Sequence, residues 1–184
     1  MRHAEHYRPV LELANSLFLQ GGEDCFKGLD LFDHEWPNVL LAWVWAEGQV
    51  TTDVDAAAFC PAINDAGSHL LDLRQHPLER ARWLKVAIEV TQKPPTNRLL
   101  ECILSSNLGS AYLRLGQPYE AIKILEQALK IATEFRNTHV TGVVIGSLGN
   151  AYADLGDANN AIKYYLQDLQ ISRWAGDKSA EGEV

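Results

Sequence analysis

Apolar residues recur at intervals of three and four along most of the chain, the spacing that places them on one face of an α-helix. The clearest example carries Leu104, Leu108, Ala111, Tyr112 and Leu115. The stretch Gly-Gln-Pro at 116–118 interrupts it, and a second apolar stripe runs through 121–132. A proline is accepted at the start of a helix, because its missing N–H would have no partner there. The pattern therefore predicts two helices joined by a short turn.

The same pair of helices occurs again 40 residues later. The stretch "NLGSAYLRLG" at 107–116 aligns with "SLGNAYADLG" at 147–156, and "AIKILEQALKI" at 121–131 aligns with "AIKYYLQDLQI" at 161–171. Because the interval is the same in both alignments, whole units are repeated. Mid-helix glycine costs about 1 kcal/mol relative to alanine. We therefore expect Gly109 and Gly149 where the partner helix approaches closely, at Ala121 and Ala161.

The repeated residues resemble the tetratricopeptide repeat, whose pattern is Leu-Gly-x-x-Tyr, a turn glycine, and a second helix with small residues. One unit carries Leu108, Gly109, Tyr112, Ala121, Leu125 and Ala128; the other carries Leu148, Gly149, Tyr152, Ala161 and Tyr165. Asp168 departs from the pattern, because it stands where the first unit has alanine. Gly116 and Gly156 are expected in the left-handed conformation that ends a helix. The resemblance implies an all-α fold, a right-handed α-solenoid of stacked antiparallel helix pairs with eight or nine helices.

The remaining segments predict further helices around these repeats. Pro37 is expected to begin a helix that buries Leu41, Trp43 and Trp45, with the tryptophans in a helix–helix core. The predicted division is an N-terminal helical segment at 1–50, a degenerate helix pair at 53–93, repeats at 96–136 and 138–175, and the start of a truncated repeat at 176–184.

The N-terminal segment has a resemblance of its own. Its pattern is similar to the helical segment that joins the ATPase part of bacterial STAND-class signalling proteins to their tetratricopeptide sensor. The positions that carry this similarity are His6, Tyr7, Glu35, Asn38, Ala42 and Trp45. The run "AGDKSAEGEV" at 175–184 agrees with this resemblance, because it aligns with the segment that leads into another repeat. We therefore expect the chain to be a fragment of a longer protein, with any self-association through that parent protein.

The sequence contains few candidates for chemistry. The net charge is −8 without a basic stripe, which argues against direct binding to nucleic acid. No apolar run approaches the roughly 20 residues needed to cross a bilayer. Cys25, Cys60 and Cys102 lack C-x-x-C spacing and are expected to be buried, reduced thiols of a cytoplasmic protein. Neither a Walker A motif, G-x-S-x-G nor H-E-x-x-H is present. We therefore expect no enzyme activity, cofactor or metal site in this chain.

The candidate binding surface follows from the repeat resemblance. The first helix of each pair is expected to line a concave groove that binds a protein or peptide. The groove positions are Ser106, Asn107, Ser110, Leu113 and Arg114 in one repeat, and Gly146, Ser147, Asn150, Ala153 and Asp154 in the next. Asn107 and Asn150 are the strongest candidates, since an amide can donate to and accept from a peptide backbone at once. The alternative is a solvated helix surface with no ligand.

These observations favour a non-catalytic scaffold that acts as the sensor or autoinhibitory region of a bacterial STAND-type signalling or transcription-regulating ATPase. One alternative is a free-standing adaptor resembling the modulators of G-protein signalling. Another is the substrate-presenting region of an enzyme whose catalytic domain lies outside this chain.

Overall fold

The computed structural model describes residues 2–181, and within this range the chain forms nine α-helices and no strand. The helices are α1 (Arg2–Gln20), α2 (Gly22–Gln49), α3 (Val54–Ala66), α4 (Ser68–Arg74), α5 (Pro77–Thr91), α6 (Arg98–Arg114), α7 (Pro118–Glu134), α8 (Thr138–Asp154) and α9 (Ala158–Glu181). The predicted all-α fold is thus confirmed. The helices form two compact units, with the boundary between Leu100 and Glu101.

In the first unit, α1 and α2 pack against each other at Gly28. A β-carbon added at Gly28 would lie 2.5 Å from the carbonyl oxygen of Ala14 and 2.7 Å from the backbone nitrogen of Phe18. Because the obstructing atoms belong to the backbone of α1, no side-chain movement could relieve the clash. Only glycine fits here. The contact at Gly28 is not predictable from the sequence pattern, because Gly28 belongs to no repeated unit.

Stacked tryptophans form the centre of the first unit. The rings of Trp43 and Trp83 lie 4.1 Å apart and nearly parallel, at an interplanar angle of 8°. The ring of Trp36 also stacks on that of Trp83, with 5.7 Å between the ring centroids. Trp43 and Trp83 are fully buried, and Trp36 and Trp45 are partly buried against the same core. The predicted helix–helix core role of the α2 tryptophans is therefore confirmed.

Two details predicted for α2 are wrong. Pro37 does not begin a helix, because α2 runs through it. The residues on either side of the proline, Phe32 and Val39, are both buried, so tertiary packing maintains the helix across an exposed residue that disfavours it. Leu41 is 70% exposed rather than buried. It lies between the buried positions Val39 and Trp43 in sequence but on the opposite side of the helix.

The region predicted as a degenerate pair contains three helices. The segment before residues 75–76 is divided at Gly67 into α3 and α4, and α5 follows. Arg80 of α5 is completely buried, and its guanidinium donates to Asp72 (2.5 Å) and to Asn64 (2.5 Å). A buried charge needs such partners to offset its lost hydration. This network ties α5 to α3 and α4.

The second unit consists of the two antiparallel helix pairs predicted from the 40-residue repeat. A β-carbon added at Gly109 would lie 2.6 Å from Cγ of Leu125, and one added at Gly149 would lie 2.5 Å from Cε1 of Tyr165. The two glycines do allow the paired helices to approach closely. We expected the contacts at Ala121 and Ala161, but the side chains that fill the space beside the glycines are those of Leu125 and Tyr165, one helical turn further along.

The two glycine turns in this unit have the predicted conformation. Gly116 and Gly156 have φ values of 68° and 83°, in the left-handed region that glycine tolerates best. The segment after 175 differs from its counterpart in the first repeat. There α7 ends at Glu134, whereas α9 continues without a break to Glu181. Residues 182–184 of the predicted truncated repeat lie outside the described residues, and the division at 176 stays a prediction.

The Gly28→Ala substitution is expected to destabilise the chain by about 2–3 kcal/mol, because the new methyl group would overpack against the backbone of α1. Gly48→Ala, in the same helix, is the matched control. Its β-carbon meets nothing within 4 Å, so this change should be neutral or stabilising by about 0.5 kcal/mol. Urea unfolding followed by circular dichroism measures both. Equal losses for the two variants would contradict the close helix contact at Gly28.

The two repeat glycines should respond differently to alanine. Leu125 is fully buried and has no room to move, so Gly109→Ala should cost about 2–3 kcal/mol. Tyr165 is 41% exposed and can swing toward solvent, so Gly149→Ala should cost only about 1 kcal/mol. Thermal unfolding of the two variants gives the comparison. A larger loss for Gly149→Ala than for Gly109→Ala would refute the argument from side-chain freedom.

Candidate functional site

A groove of about 610 Å³ lies between α8 and α9. One side of the groove is formed by α8 from Thr138 to Asn150, and the other by Asp168, Ile171 and Ser172 of α9. Three of the residues predicted to face a ligand, Gly146, Ser147 and Asn150, are among those that line it. We call this feature the α8–α9 groove.

Two glycines on successive turns of α8 make room for an acidic side chain of α9. A β-carbon added at Gly142 would lie 3.4 Å from Oδ1 of Asp168, and one added at Gly146 would lie 3.3 Å from Oδ2. In the preceding repeat these three positions are held by Cys102, Ser106 and Ala128. The departure from the pattern at Asp168 is therefore accommodated by smaller residues opposite it, and Asp168 lines the groove.

Asn150 is held in place by a tyrosine from the partner helix. The hydroxyl of Tyr165 donates to Oδ1 of Asn150 at 2.8 Å. The ring of Tyr165 reaches this position because it lies over Gly149, where a side chain would obstruct it. One lone pair of the Asn150 carbonyl oxygen thus already has a donor, while the second lone pair and the amide NH2 can still meet a ligand. The predicted double role of this amide stays a prediction.

The other predicted groove residues of α8 contribute less to this site. The hydroxyl of Ser147 donates to the carbonyl of Val143 in its own helix at 2.9 Å. Ala153 and Asp154 are exposed near the end of α8 and do not line the groove. The structure therefore brings together the middle of α8 and leaves out its last turn.

The predicted residues of α6 do not belong to this groove. Ser106 is buried, and Ser110 donates its hydroxyl to the carbonyl of Ser106 at 3.4 Å. Asn107 is half-buried, and its amide nitrogen is enclosed without a hydrogen-bond partner. Leu113 is half-buried and Arg114 is exposed at the end of α6. The predicted groove residues of α6 are therefore more buried than those of α8. The sequence contained no signal for this difference in burial.

A second concavity, of about 520 Å³, lies in the first unit between the end of α2, α3 and the loop after α5. Its walls are mainly alanine, valine and proline side chains, among them Val54, which is 84% exposed. Polar groups such as Thr51 and Lys93 stand among the exposed residues that line it. We favour the α8–α9 groove as the functional site because it combines the apolar side chains of Val143 and Ile171 with an oriented amide and a carboxylate, the mixture that gives a binding site its specificity.

The cysteines of the described structure are free thiols. Burial, with a smaller effect of the negative charge on Glu47, raises the pKa of the Cys60 thiol to about 12. Cys102 is buried and donates its thiol to the carbonyl of Ala128 at 3.2 Å. Cys25 is half-buried, so the prediction of burial holds for two of the three. A thiol with so high a pKa is a poor nucleophile at neutral pH.

Two further searches cover only the part of the chain that the structure describes. Among those residues, no group of three or more histidine, cysteine, aspartate or glutamate side chains is arranged to hold a metal ion. No helix in the same range is long and apolar enough to span a membrane.

Comparison with known proteins identifies the repeated units. Residues 99–173 match the family model of the tetratricopeptide repeat. The match begins in α6 and ends in α9, so it includes both helix pairs and the α8–α9 groove. The predicted resemblance to this repeat is confirmed for that region. No curated protein matches the chain.

Proposed function

Because residues 99–173 form tetratricopeptide repeats, we propose that this chain is a protein-interaction scaffold whose α8–α9 groove binds a partner protein or peptide. Arrays of helix pairs present extended grooves of this kind, and their usual ligands are proteins. The proposal assigns the chain no catalytic step. Its role is to hold a partner through apolar contacts and a few directed polar groups.

The observation that carries the proposal is the match of residues 99–173 to the family model of the tetratricopeptide repeat. The two repeats differ in exposure at equivalent positions. On α7, Ala128, Ile131 and Ala132 are buried, and α8, the next helix of the same chain, packs against α7. Their counterparts on α9 are Asp168 and Ile171, which are half-buried, and Ser172, which is exposed.

The α9 helix also exposes apolar side chains outside the groove lining. Ile162, Leu169 and Trp174 are each between 44% and 57% exposed. The amide of Asn150 and the carboxylate of Asp168 add the polar groups that would orient a partner.

The Asn150→Ala substitution tests the groove. Peptides are first selected on the purified chain from a random displayed library, and their affinities are measured by fluorescence anisotropy. We expect Asn150→Ala to weaken binding about tenfold, because the hydrogen bond between its amide and the peptide is lost.

The matched control is Asn159→Ala, an exposed asparagine near the start of α9 that does not line the groove. It should change affinity less than twofold. Tyr165→Phe removes the hydrogen bond to Asn150 but keeps the amide, so it separates loss of positioning from loss of the amide itself. If Asn150→Ala binds the selected peptides as well as the unsubstituted chain does, the assignment of the groove is wrong.

We further propose that the chain is the cytoplasmic sensor or autoinhibitory region of a STAND-type ATPase. The support for this proposal is the resemblance of the N-terminal segment to the STAND-class linker. Of the residues that carry this resemblance, Tyr7 and Ala42 are buried in the first unit. Asn38 donates its amide to Glu35 at 2.9 Å on the surface of α2. These residues thus include both core and surface positions of the α1–α2 pair.

The reading frame upstream of Met1 tests this finer proposal. A Walker A motif in frame, followed by a winged-helix segment, would support the sensor role. A native start at Met1 with no preceding domain would exclude it and favour the free-standing adaptor instead.

A further inference from the structure

We propose that the concavity of about 520 Å³ in the first unit binds a small amphipathic carboxylic acid, whose carboxylate pairs with Lys93 and whose apolar body lies along α3. We call this concavity the α3 cavity. Most of its lining residues belong to the α2–α3 turn, to α3 and to the loop after α5, and none of them lines the α8–α9 groove. The inference therefore goes beyond the protein-binding function proposed above.

One wall of the α3 cavity is an apolar face of α3. Val54, Ala57 and Pro61 line it at intervals of three and four, which places them on one side of the helix, and Ala58 lies beside them. Val54 and Ala58 are exposed. Because the alanine side chains are short, the cavity stays open along this face. A cavity of this volume with mainly apolar walls is typical of small-molecule sites.

Two polar groups of the α3 cavity already serve the ends of helices. Oδ1 of Asp53 accepts from the backbone N–H groups of Asp55 and Ala56 at 2.9 and 3.0 Å, so this carboxylate caps α3. The partial positive charge at the start of the helix also offsets the negative charge of Asp53. The hydroxyl of Thr52 donates to the carbonyl oxygen of Gln49 at 3.3 Å. Neither group therefore needs a cation from a ligand.

Lys93 and Asn97 supply the donors that remain for a ligand. Both lie in the loop after α5, which the N–H of Asn97 closes by donating to the carbonyl oxygen of Thr91 at 3.0 Å. Lys93 forms no ion pair with any carboxylate that the structure describes. Oδ1 of Asn97 accepts from the backbone nitrogen of Leu100 at 3.1 Å, which leaves the amide NH2 to donate. An ammonium and an amide NH2 in one loop favour an acceptor with a negative charge.

A carboxylate attached to an apolar body satisfies both features of the α3 cavity. Its oxygens accept from Lys93 and Asn97, and its apolar body removes Val54 and Ala58 from water. A cationic ligand would lie beside Lys93 and be repelled. A neutral apolar ligand would exclude water from the two donors without offering them an acceptor, which is unfavourable.

Three probes that differ only in their head group test the inference. Octanoate, 1-octanol and octylamine share the same apolar chain and carry a negative charge, no charge and a positive charge. Their affinities for the purified chain are measured by isothermal titration calorimetry at neutral pH. We expect octanoate to bind about fivefold or more tightly than either of the other two, because only octanoate pairs with Lys93.

Two chain variants locate the site, each with a matched control. Lys93→Gln should remove the preference for octanoate over 1-octanol, whereas Lys123→Gln, at an exposed position of α7, should keep it. Ala58→Phe places a ring in the cavity and should weaken octanoate binding about tenfold or more. Ala153→Phe, at an exposed position of α8, should leave that binding unchanged. Circular dichroism checks that each variant keeps the helical content of the parent chain.

The outcomes separate this inference from the proposed function. Octanoate that binds no more tightly than 1-octanol would overturn the assigned class of ligand. Octanoate binding that neither Lys93→Gln nor Ala58→Phe weakens would overturn the site, and so would the absence of octanoate binding up to its solubility limit. Each of these results would leave the protein-binding proposal standing, because the α8–α9 groove shares no lining residue with the α3 cavity.

Discussion

Paired helices in this chain cross at points where only a glycine leaves enough room. At Gly28 the neighbouring atoms belong to the backbone of α1, at Gly109 to the side chain of Leu125, and at Gly149 to the ring of Tyr165. Each glycine weakens its own helix by about 1 kcal/mol. That cost is offset because closer packing brings many more atoms into van der Waals contact and buries apolar side chains beneath the crossing.

The candidate site depends on the same constraint. Because Gly149 has no side chain, the ring of Tyr165 lies against α8, and its hydroxyl reaches Asn150. Because Gly142 and Gly146 have none, the carboxylate of Asp168 fits beside α8 where the first repeat has alanine. The same glycines thus determine both the packing of the second repeat and the positions of the polar groups in its groove. A substitution that disturbs one of them will also disturb the other.

The repeat explains why the groove exists. A helix pair buries one face within itself and needs a neighbour to cover the other. In the first repeat, α8 supplies that neighbour, so the small apolar residues of α7 are enclosed. In the second repeat the equivalent surface carries the carboxylate of Asp168 where the first repeat has alanine.

The sequence by itself determined the helical fold, the two repeats, their turn glycines and the candidate surface at Gly146, Ser147 and Asn150. It could do so because helical periodicity and a second copy 40 residues away are both visible along the chain. Only the tertiary structure decided which of those surface residues share a groove, that Tyr165 already occupies one side of the Asn150 amide, and that Gly28 and the buried Arg80 hold the first unit together. These are contacts between residues distant in sequence, and their geometry depends on how closely the helices cross. The prediction that Pro37 begins a helix was wrong, because the packing of Phe32 and Val39 outweighs the local preference of proline.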